Sequence, residues 1–403
     1  MGSRTIAIMG RAVDQDDGIG VYCINLLREM FTIDRHTRYL MLLSTGKHRT
    51  LFADMPNVET YVLPAPTKLL WDQWVCLRAA RRMNAQIIFN PKFSIPLLTR
   101  IPCVFVQQGC DWYVNPENYP WWDNLYIRLM LPWFSRAATR LTAISQATLD
   151  DLQKYAGIDV RGTVVTYAGI APNFTSQGDA DEQARFREEF RLPQRYILSV
   201  TRAYHIGHGK LPRYPGGNIE RLIGAYRRYR AAGGDLPLVI AGHRIEPYLR
   251  ARGFGDEALR DVHFIGFVPN SRLHTAYQLA ECFVVTTLCE SFSFPIVEAF
   301  ACGCPAIVPT TCASPEIAGG AARLVDPRDE ASIAAALAEV TGSETIRADL
   351  RMKGLARARD FSWRLTAERT LAVLNEIVPA PDEVTRPQRA EVLVPPPLQD
   401  TGT

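Results

Sequence analysis

Thirteen short runs rich in β-branched and aromatic residues, separated by amphipathic stretches of helical length, constrain this chain more than any other feature. The first series falls at 5–9, 39–43, 58–62, 86–89, 103–106, 141–144 and 163–167. The second falls at 196–200, 238–241, 263–266, 282–288, 306–308 and 323–325. Strands that alternate with helices build parallel sheets whose faces are covered by the crossover helices. Two series therefore predict an α/β chain of two doubly wound domains facing a central cleft, and 403 residues are too many for one ordinary core. The polar stretch 175–191 separates the series. The expected divisions are 1–178, 179–365, a helix over 366–378 returning to the first domain, and a proline-rich, disordered tail over 379–403.

Charge excludes some partners. A formal net charge of +3, with 22% charged and 47% hydrophobic residues, fits a globular chain and gives no basic footprint for nucleic acid. No apolar run is long enough to span a bilayer. Nine cysteines are scattered without metal-finger spacing, and Cys302-Gly-Cys304 is too closely spaced for one, so a reduced, cytoplasmic setting is expected.

Two motifs carry chemistry. In Glu290-Ser-Phe-Ser-Phe-Pro-Ile-Val-Glu298-Ala, two carboxylates flank a strand-to-helix turn, fed by the apolar run 282–288. Pro295 suits the first helical position and Gly303 with Pro305 closes the helix, which places Glu298 in the first turn, where backbone N–H groups favour its charge. The pair sits at a strand's C-terminal end, the ligand-binding side of an open parallel sheet, and can hold a polyol. The other reading makes Glu298 a helix cap and Glu290 a solvated loop residue. The second motif, Asp16-Asp17-Gly18-Ile19-Gly20, follows the first strand. Gly18 and Gly20 permit close backbone approach, and the helix end behind them suits an anion or a hydroxyl-rich acceptor. The third glycine of a dinucleotide fingerprint is absent, and a plain tight turn explains the motif equally.

The stretch from Glu290 through Ala-Phe-Ala-Cys-Gly-Cys-Pro-Ala-Ile-Val resembles the E-G-F-G-L-P-x-x-E-A-x-A-C-G-x-P-V signature of the retaining, metal-independent GT-B glycosyltransferases, family four, with its many mannosyl- and glucosyltransferases. The likeness extends through Ser314-Pro-Glu-Ile-Ala-Gly-Gly, Asp326-Pro-Arg-Asp, Phe264-Ile-Gly-Phe-Val, Gly18-Ile-Gly-Val-Tyr and Tyr167-Ala-Gly-Ile, from about Thr5 to Leu374. It implies two Rossmann-like domains, the first binding acceptor and the second a nucleotide sugar. Glu290 would hold donor-sugar hydroxyls, with backbone around Phe292, Ser293 and Phe294 orienting sugar and phosphate. Glu298 would take ribose hydroxyls, and Phe267 and Val268 would border the base. Arg202 would neutralise the leaving diphosphate, a task metals perform elsewhere, while Gly18 and Gly20 shape the loop where acceptor and diphosphate meet. The implied reaction moves a hexose from a GDP-mannose or UDP-glucose type donor to a glycan, glycolipid or natural-product acceptor, with no cofactor and no metal.

Two departures from the family pattern motivate a second reading, a sugar-nucleotide-binding pseudo-enzyme or scaffold. Gly217 stands before Asn218 where the family has lysine. The preceding segment 203–215 reads as an insertion carrying His205, His208, Lys210 and Arg213, with Lys210 the first and Arg213 the second candidate for the missing cation. Gln108 occupies the place of a family histidine, and glutamine hydrogen-bonds but cannot carry a proton.

Aromatic and basic residues also gather at 68–82 and 121–130. Trp71, Trp74, Arg78 and Arg82 fall near one helical face, which suits either packing or a peripheral contact at the inner membrane face.

Overall fold

The computed structural model describes residues 4–15, 17–114, 116, 119–201 and 217–380. All thirteen expected strands form. The first sheet holds β1 (Thr5–Met9), β2 (Arg38–Leu43), β3 (Val58–Val62), β4 (Ile87–Asn90), β5 (Cys103–Gln107), β6 (Arg140–Ala143) and β7 (Val164–Val165). The second holds β8 (Ile197–Val200), β9 (Leu238–Ala241), β10 (Val262–Gly266), β11 (Cys282–Val284), β12 (Ala306–Pro309) and β13 (Arg323–Val325). Every pairing is parallel. The central strands β1, β4, β5, β9 and β12 are buried at every position, because helices cover both sheet faces and leave no polar side to alternate with.

The strand order locates the site before any side chain is considered. It is β3-β2-β1-β4-β5-β6-β7 in the first sheet and β10-β9-β8-β11-β12-β13 in the second. Each chain path winds outward from one central strand, then restarts beside it and winds the other way. The reversals fall between β1 and β4 and between β8 and β11, where the departing connections diverge and open a crevice at the strands' C-terminal ends. The loops after β1, β4, β8 and β11 therefore line the expected binding crevices.

The helix Trp363–Ile377 packs against the first half. Trp363 meets Tyr22 edge-on with ring centroids 5.7 Å apart, Thr366 Oγ1 donates to the Tyr167 carbonyl, and Arg4 Nη1 donates to the Val378 carbonyl at 2.7 Å.

The structure corrects two local expectations. The run 282–288 is strand only as far as Val284. Beyond it, Thr286 Oγ1 turns to the Gly217 carbonyl at 3.1 Å, and the chain leaves the sheet to form a loop. Trp71 and Trp74 do not share a face: Trp71 is buried with its indole N–H on the Leu63 carbonyl, while Trp74 is 62% exposed. A π-turn over Trp71–Val75 widens the helix by one residue and rotates the two rings apart.

Candidate active site

The loops after β1 and β11, one from each crevice, meet, and the loop after β5 joins them. A Cβ on Gly109, in the loop after β5, would lie 2.1 Å from Ser291 Oγ in the loop after β11. A Cβ on Gly18 would lie 3.4 Å from the Phe294 ring, and one on Gly20 only 1.8 Å from the Gln15 carbonyl oxygen. Glycine at 109 and 20 is thus a spatial requirement, as no larger residue fits without moving backbone or loop. Between the halves, Phe292 is buried in an aromatic cluster, its centroid 5.3 Å from Phe294, 5.8 Å from Phe361 and 6.5 Å from Tyr167.

The loop after β11 carries Glu290 and leads into the helix Phe294–Ala301. Glu290 is half-buried, and its carbonyl accepts the Ala313 N–H at 3.2 Å, which binds this loop to the segment after β12. The helix begins at Phe294, so Glu298 stands in its second turn, beyond the end N–H groups that were expected to favour its charge. What holds it is the Tyr277 hydroxyl, donating to Glu298 Oε2 at 3.1 Å. Burial pushes its carboxyl from 4.5 up to about 7, with the Tyr277 bond pulling the other way. A buried carboxylate held by one neutral donor has acceptor capacity left over, which ligand hydroxyls can satisfy. The Ser293, Thr287 and Ser314 hydroxyls around this loop are likewise buried and have no hydrogen-bond partner among the described residues. Orphaned buried hydroxyls are costly, and a polyhydroxyl ligand supplies the missing partners.

The expected anion site at the helix Gly18–Ile33 is already filled. Asp17 Oδ1 accepts the N–H groups of Ile19 at 2.9 Å and Gly20 at 3.2 Å, so the aspartate caps the helix that an anion would otherwise bind. Gln108 is buried, with Nε2 donating to the Pro91 carbonyl at 2.7 Å, which fixes the loop after β4 against the loop after β5. Phe267 is 68% exposed and free to cover a base, whereas the Val268 side chain lies in the core and leaves only its backbone for such a contact. Arg202, Lys210, Arg213, His205 and His208 lie outside the described residues. Gly217, which replaces the family lysine, abuts Thr201: a Cβ there would sit 1.9 Å from Thr201 Oγ1. The next residue, Asn218, bonds the Thr286 and Pro327 carbonyls at 2.9 and 2.7 Å and ties this segment to the loop after β11.

The sequence reading missed a polar cluster at the first crevice. Lys92, just after β4, donates to Gln15 Oε1 at 2.8 Å, and burial pulls its ammonium down to about 8, with Arg11 acting in the same direction. Arg11 pairs with buried Asp72 at 3.1 Å, and Ser94 Oγ donates to the same carboxylate at 3.0 Å. Glu316 was also missed. It accepts the Gln146 and Ala147 N–H groups at 2.7 and 2.9 Å and the Tyr167 hydroxyl at 2.8 Å, so a carboxylate from the second half caps a helix of the first.

The expectation of uniformly reduced cysteines is corrected. Cys289 and Cys312, Cα atoms 5.3 Å apart, form a disulfide beside Glu290, because the loops after β11 and β12 run together there. The other seven cysteines are buried, and burial pushes the Cys103, Cys110 and Cys282 thiols up to about 12.

Two doubly wound parallel-sheet domains whose switch-point loops meet have the architecture of the GT-B glycosyltransferases. Residues 17–174 match Glycosyltransferase Family 4 and residues 206–342 match Glycosyl transferases group 1. The chain belongs to this family-four group of glycosyltransferases. It is 24% identical over 331 residues to the O-antigen chain mannosyltransferase B of Escherichia coli, covering 78% of each chain. It is also 31% identical over 195 residues to a GDP-mannose-dependent alpha-(1-6)-phosphatidylinositol dimannoside mannosyltransferase of Mycobacterium tuberculosis, 48% of this chain and 47% of that one. Against the serotype-specific mannosyltransferase WbdA of Escherichia coli, at 24% identity over 69% of this chain, it spans only 34% of the relative's length. Among solved structures, a Rickettsia africae glycosyltransferase superposes with a TM-score of 0.72 at 14% identity, covering 94% of this chain and 99% of that one. Anabaena HepE, in complex with UDP and glucose, superposes at 0.68 with 16% identity, covering 93% and 100%.

Proposed function

We propose that this glycosyltransferase moves a hexose, with retention of configuration and without a metal ion, from a nucleoside diphosphate sugar to a glycan, glycolipid or related acceptor at the cytoplasmic side. The observation that carries the reading is the meeting of both switch-point crevices at a loop whose buried carboxylate and orphaned hydroxyls have capacity left for a polyol. Mannose carried on GDP is the favoured donor, because the relatives include an O-antigen mannosyltransferase and a GDP-mannose-dependent mannosyltransferase, with UDP-glucose the alternative.

Glu290 would hold sugar hydroxyls and Glu298 the ribose, fixing the donor across the loop after β11. Arg202 would take up the charge of the departing diphosphate, with Lys210 standing in for the cation that Gly217 cannot supply. Same-face displacement breaks the bond from the anomeric carbon to the diphosphate oxygen through an oxocarbenium-like state. The acceptor oxygen bonds to that carbon on the same face, and its proton passes to the departing phosphate oxygen. Catalysis is then positioning and charge stabilisation, with no protein nucleophile.

The test is donor hydrolysis and transfer across GDP-, UDP-, ADP- and dTDP-sugars with chelator present, comparing wild type with Glu290→Ala, Arg202→Ala and Lys210→Ala. One donor is expected to turn over, with a loss of roughly a hundredfold or more on removing Glu290 or Arg202. Tight donor binding without turnover, with acceptors supplied, would overturn the reading in favour of a sugar-nucleotide-binding scaffold.

A further inference from the structure

The first half carries an aromatic face that neither its core nor its cleft uses. On the helix Trp121–Ala137, Ile127, Leu131 and Phe134 are buried, yet Trp121, Trp122, Leu125, Leu129 and Trp133 are exposed, Trp121 by 72% and Trp133 by 65%. Positions 122, 125, 129 and 133 form a stripe at helical spacing, so this helix has one apolar face against the sheet and a second facing solvent. Leu69, Leu70 and Trp74 are exposed beside it. The two stretches are neighbours, since Trp71, Cys76 and Leu77 share a buried cluster with Phe134, and Met130 packs against that cluster.

The exposed charge within these two stretches has one sign. Lys68, Arg78, Arg81, Arg82, Arg128 and Arg136 are exposed within these two stretches, against a half-buried Asp123 and a buried Asp72. A chain of formal net charge +3 therefore carries six exposed cations on the same two stretches that present the exposed tryptophans.

We propose that this face seats the protein on an anionic lipid bilayer, with Trp74, Trp121 and Trp122 in the headgroup layer and the arginines on lipid phosphates. Amphipathic tryptophan rings settle at the bilayer interface, and flanking cations add attraction to anionic headgroups, so each half of the pattern serves the same surface. The same cations disfavour a second copy of the chain as occupant, because two like-charged faces would repel. The chain enters both stretches from the C-terminal ends of β3 and β5, so Leu69, Leu70, Trp121 and Trp122 lie toward the edge of the sheet on which the cleft opens. The bound face thus brings the cleft mouth to the headgroups, where a lipid-linked acceptor presents its sugar. The docking itself does not depend on which sugar is moved.

Flotation of the full chain with vesicles of phosphatidylcholine, or of phosphatidylcholine with phosphatidylglycerol, at low and high salt tests this. Binding is expected only to the anionic vesicles and is weakened by salt. Trp74→Ser with Trp121→Ser and Trp122→Ser is expected to lower partitioning at least about tenfold. Arg78→Glu with Arg81→Glu and Arg82→Glu is expected to lower it on the order of a hundredfold. Both variants should keep the wild-type thermal midpoint and donor binding in solution. Wild-type tryptophan quenching by brominated lipids is a readout that needs no variant, and is expected with the anionic vesicles alone. Absent wild-type binding, equal binding to neutral vesicles, or binding retained in both variants would overturn the proposal. So would conversion of a dimer to a monomer by the tryptophan substitutions without change in lipid binding, which would make the face a contact between copies.

Discussion

Replacing Glu298 by glutamine separates the cost of this carboxylate to the fold from its service to a ligand. Glutamine keeps the shape, and its Oε1 still accepts the Tyr277 hydroxyl, but it carries no charge. Burial raises the Glu298 carboxyl from 4.5 to about 7. Below pH 4.5 the folded and unfolded chains both hold the proton. Between 4.5 and about 7 the unfolded chain loses its proton first, so the wild type loses stability as pH rises, and above about 7 the loss is complete. At about 1.4 kcal/mol per pH unit, the ionised side chain costs the wild type about 3 kcal/mol at pH 8. The stability gap between Glu298→Gln and wild type should therefore be near zero at pH 4.5 and open to about 3 kcal/mol at pH 8, about 4 °C in thermal midpoint for a chain of this size. Thermal unfolding of both proteins across this range reads the gap directly, and contributions from every other titrating group cancel in the difference. A gap that does not change with pH would refute the reasoning, since it would mean that Glu298 ionises as freely in the fold as in water.

Other expected outcomes concern the contacts around the cleft. If ribose hydroxyls bind ionised Glu298, nucleoside diphosphate binding should tighten as pH rises through about 7 and release a proton, both measurable by calorimetry in buffers of different ionisation enthalpy. Glu316→Ala removes three charge-assisted hydrogen bonds between the halves and should lower stability by about 3 kcal/mol, with faster proteolysis of the 166–175 connection. Gln108→Leu leaves the Pro91 carbonyl with only the weak Cys23 thiol donor at 3.6 Å and should cost about 1–3 kcal/mol in urea unfolding, with donor turnover reduced through displacement of the loop after β4. Reducing the Cys289–Cys312 disulfide, or replacing both residues by serine, should raise the donor KM more than it lowers kcat, because the bond braces the loop that carries Glu290.

The central strands were legible because a parallel strand covered on both faces reads as an unbroken apolar run, whereas edge strands such as β3, Val-Glu-Thr-Tyr-Val, are only partly buried and were legible from their β-branched and aromatic residues. The carboxylate motif was legible for a related reason: Pro295 and Gly303 punctuate a short apolar helix, and Gly303 does adopt the left-handed conformation expected of a helix end. Strand order was not legible, since nothing local in 86–89 says that this run returns to lie beside β1. Lys92 and the Arg11–Asp72 pair belong to the site only through that adjacency, so they read as ordinary loop and helix residues. Asp17 was visible as an acidic residue before a helix, and its capping role decided against the anion reading. The Trp71 and Trp74 rings were misassigned because one π-turn breaks the regular phase on which a helical face is counted. Glu316 stood within the family-like stretch 314–320, but its bonds join segments about 150 residues apart in the sequence.

The anomeric configuration of the sugar first released or transferred tests the central claim most directly. Proton NMR can follow the wild type with an α-linked nucleotide sugar, with chelator present and before mutarotation, alongside Glu290→Ala. The account predicts that the α-anomer appears first and that its rate falls roughly a hundredfold or more in Glu290→Ala. A β-anomer appearing first would contradict same-face displacement, and unchanged turnover in Glu290→Ala would remove the donor from the switch-point loop.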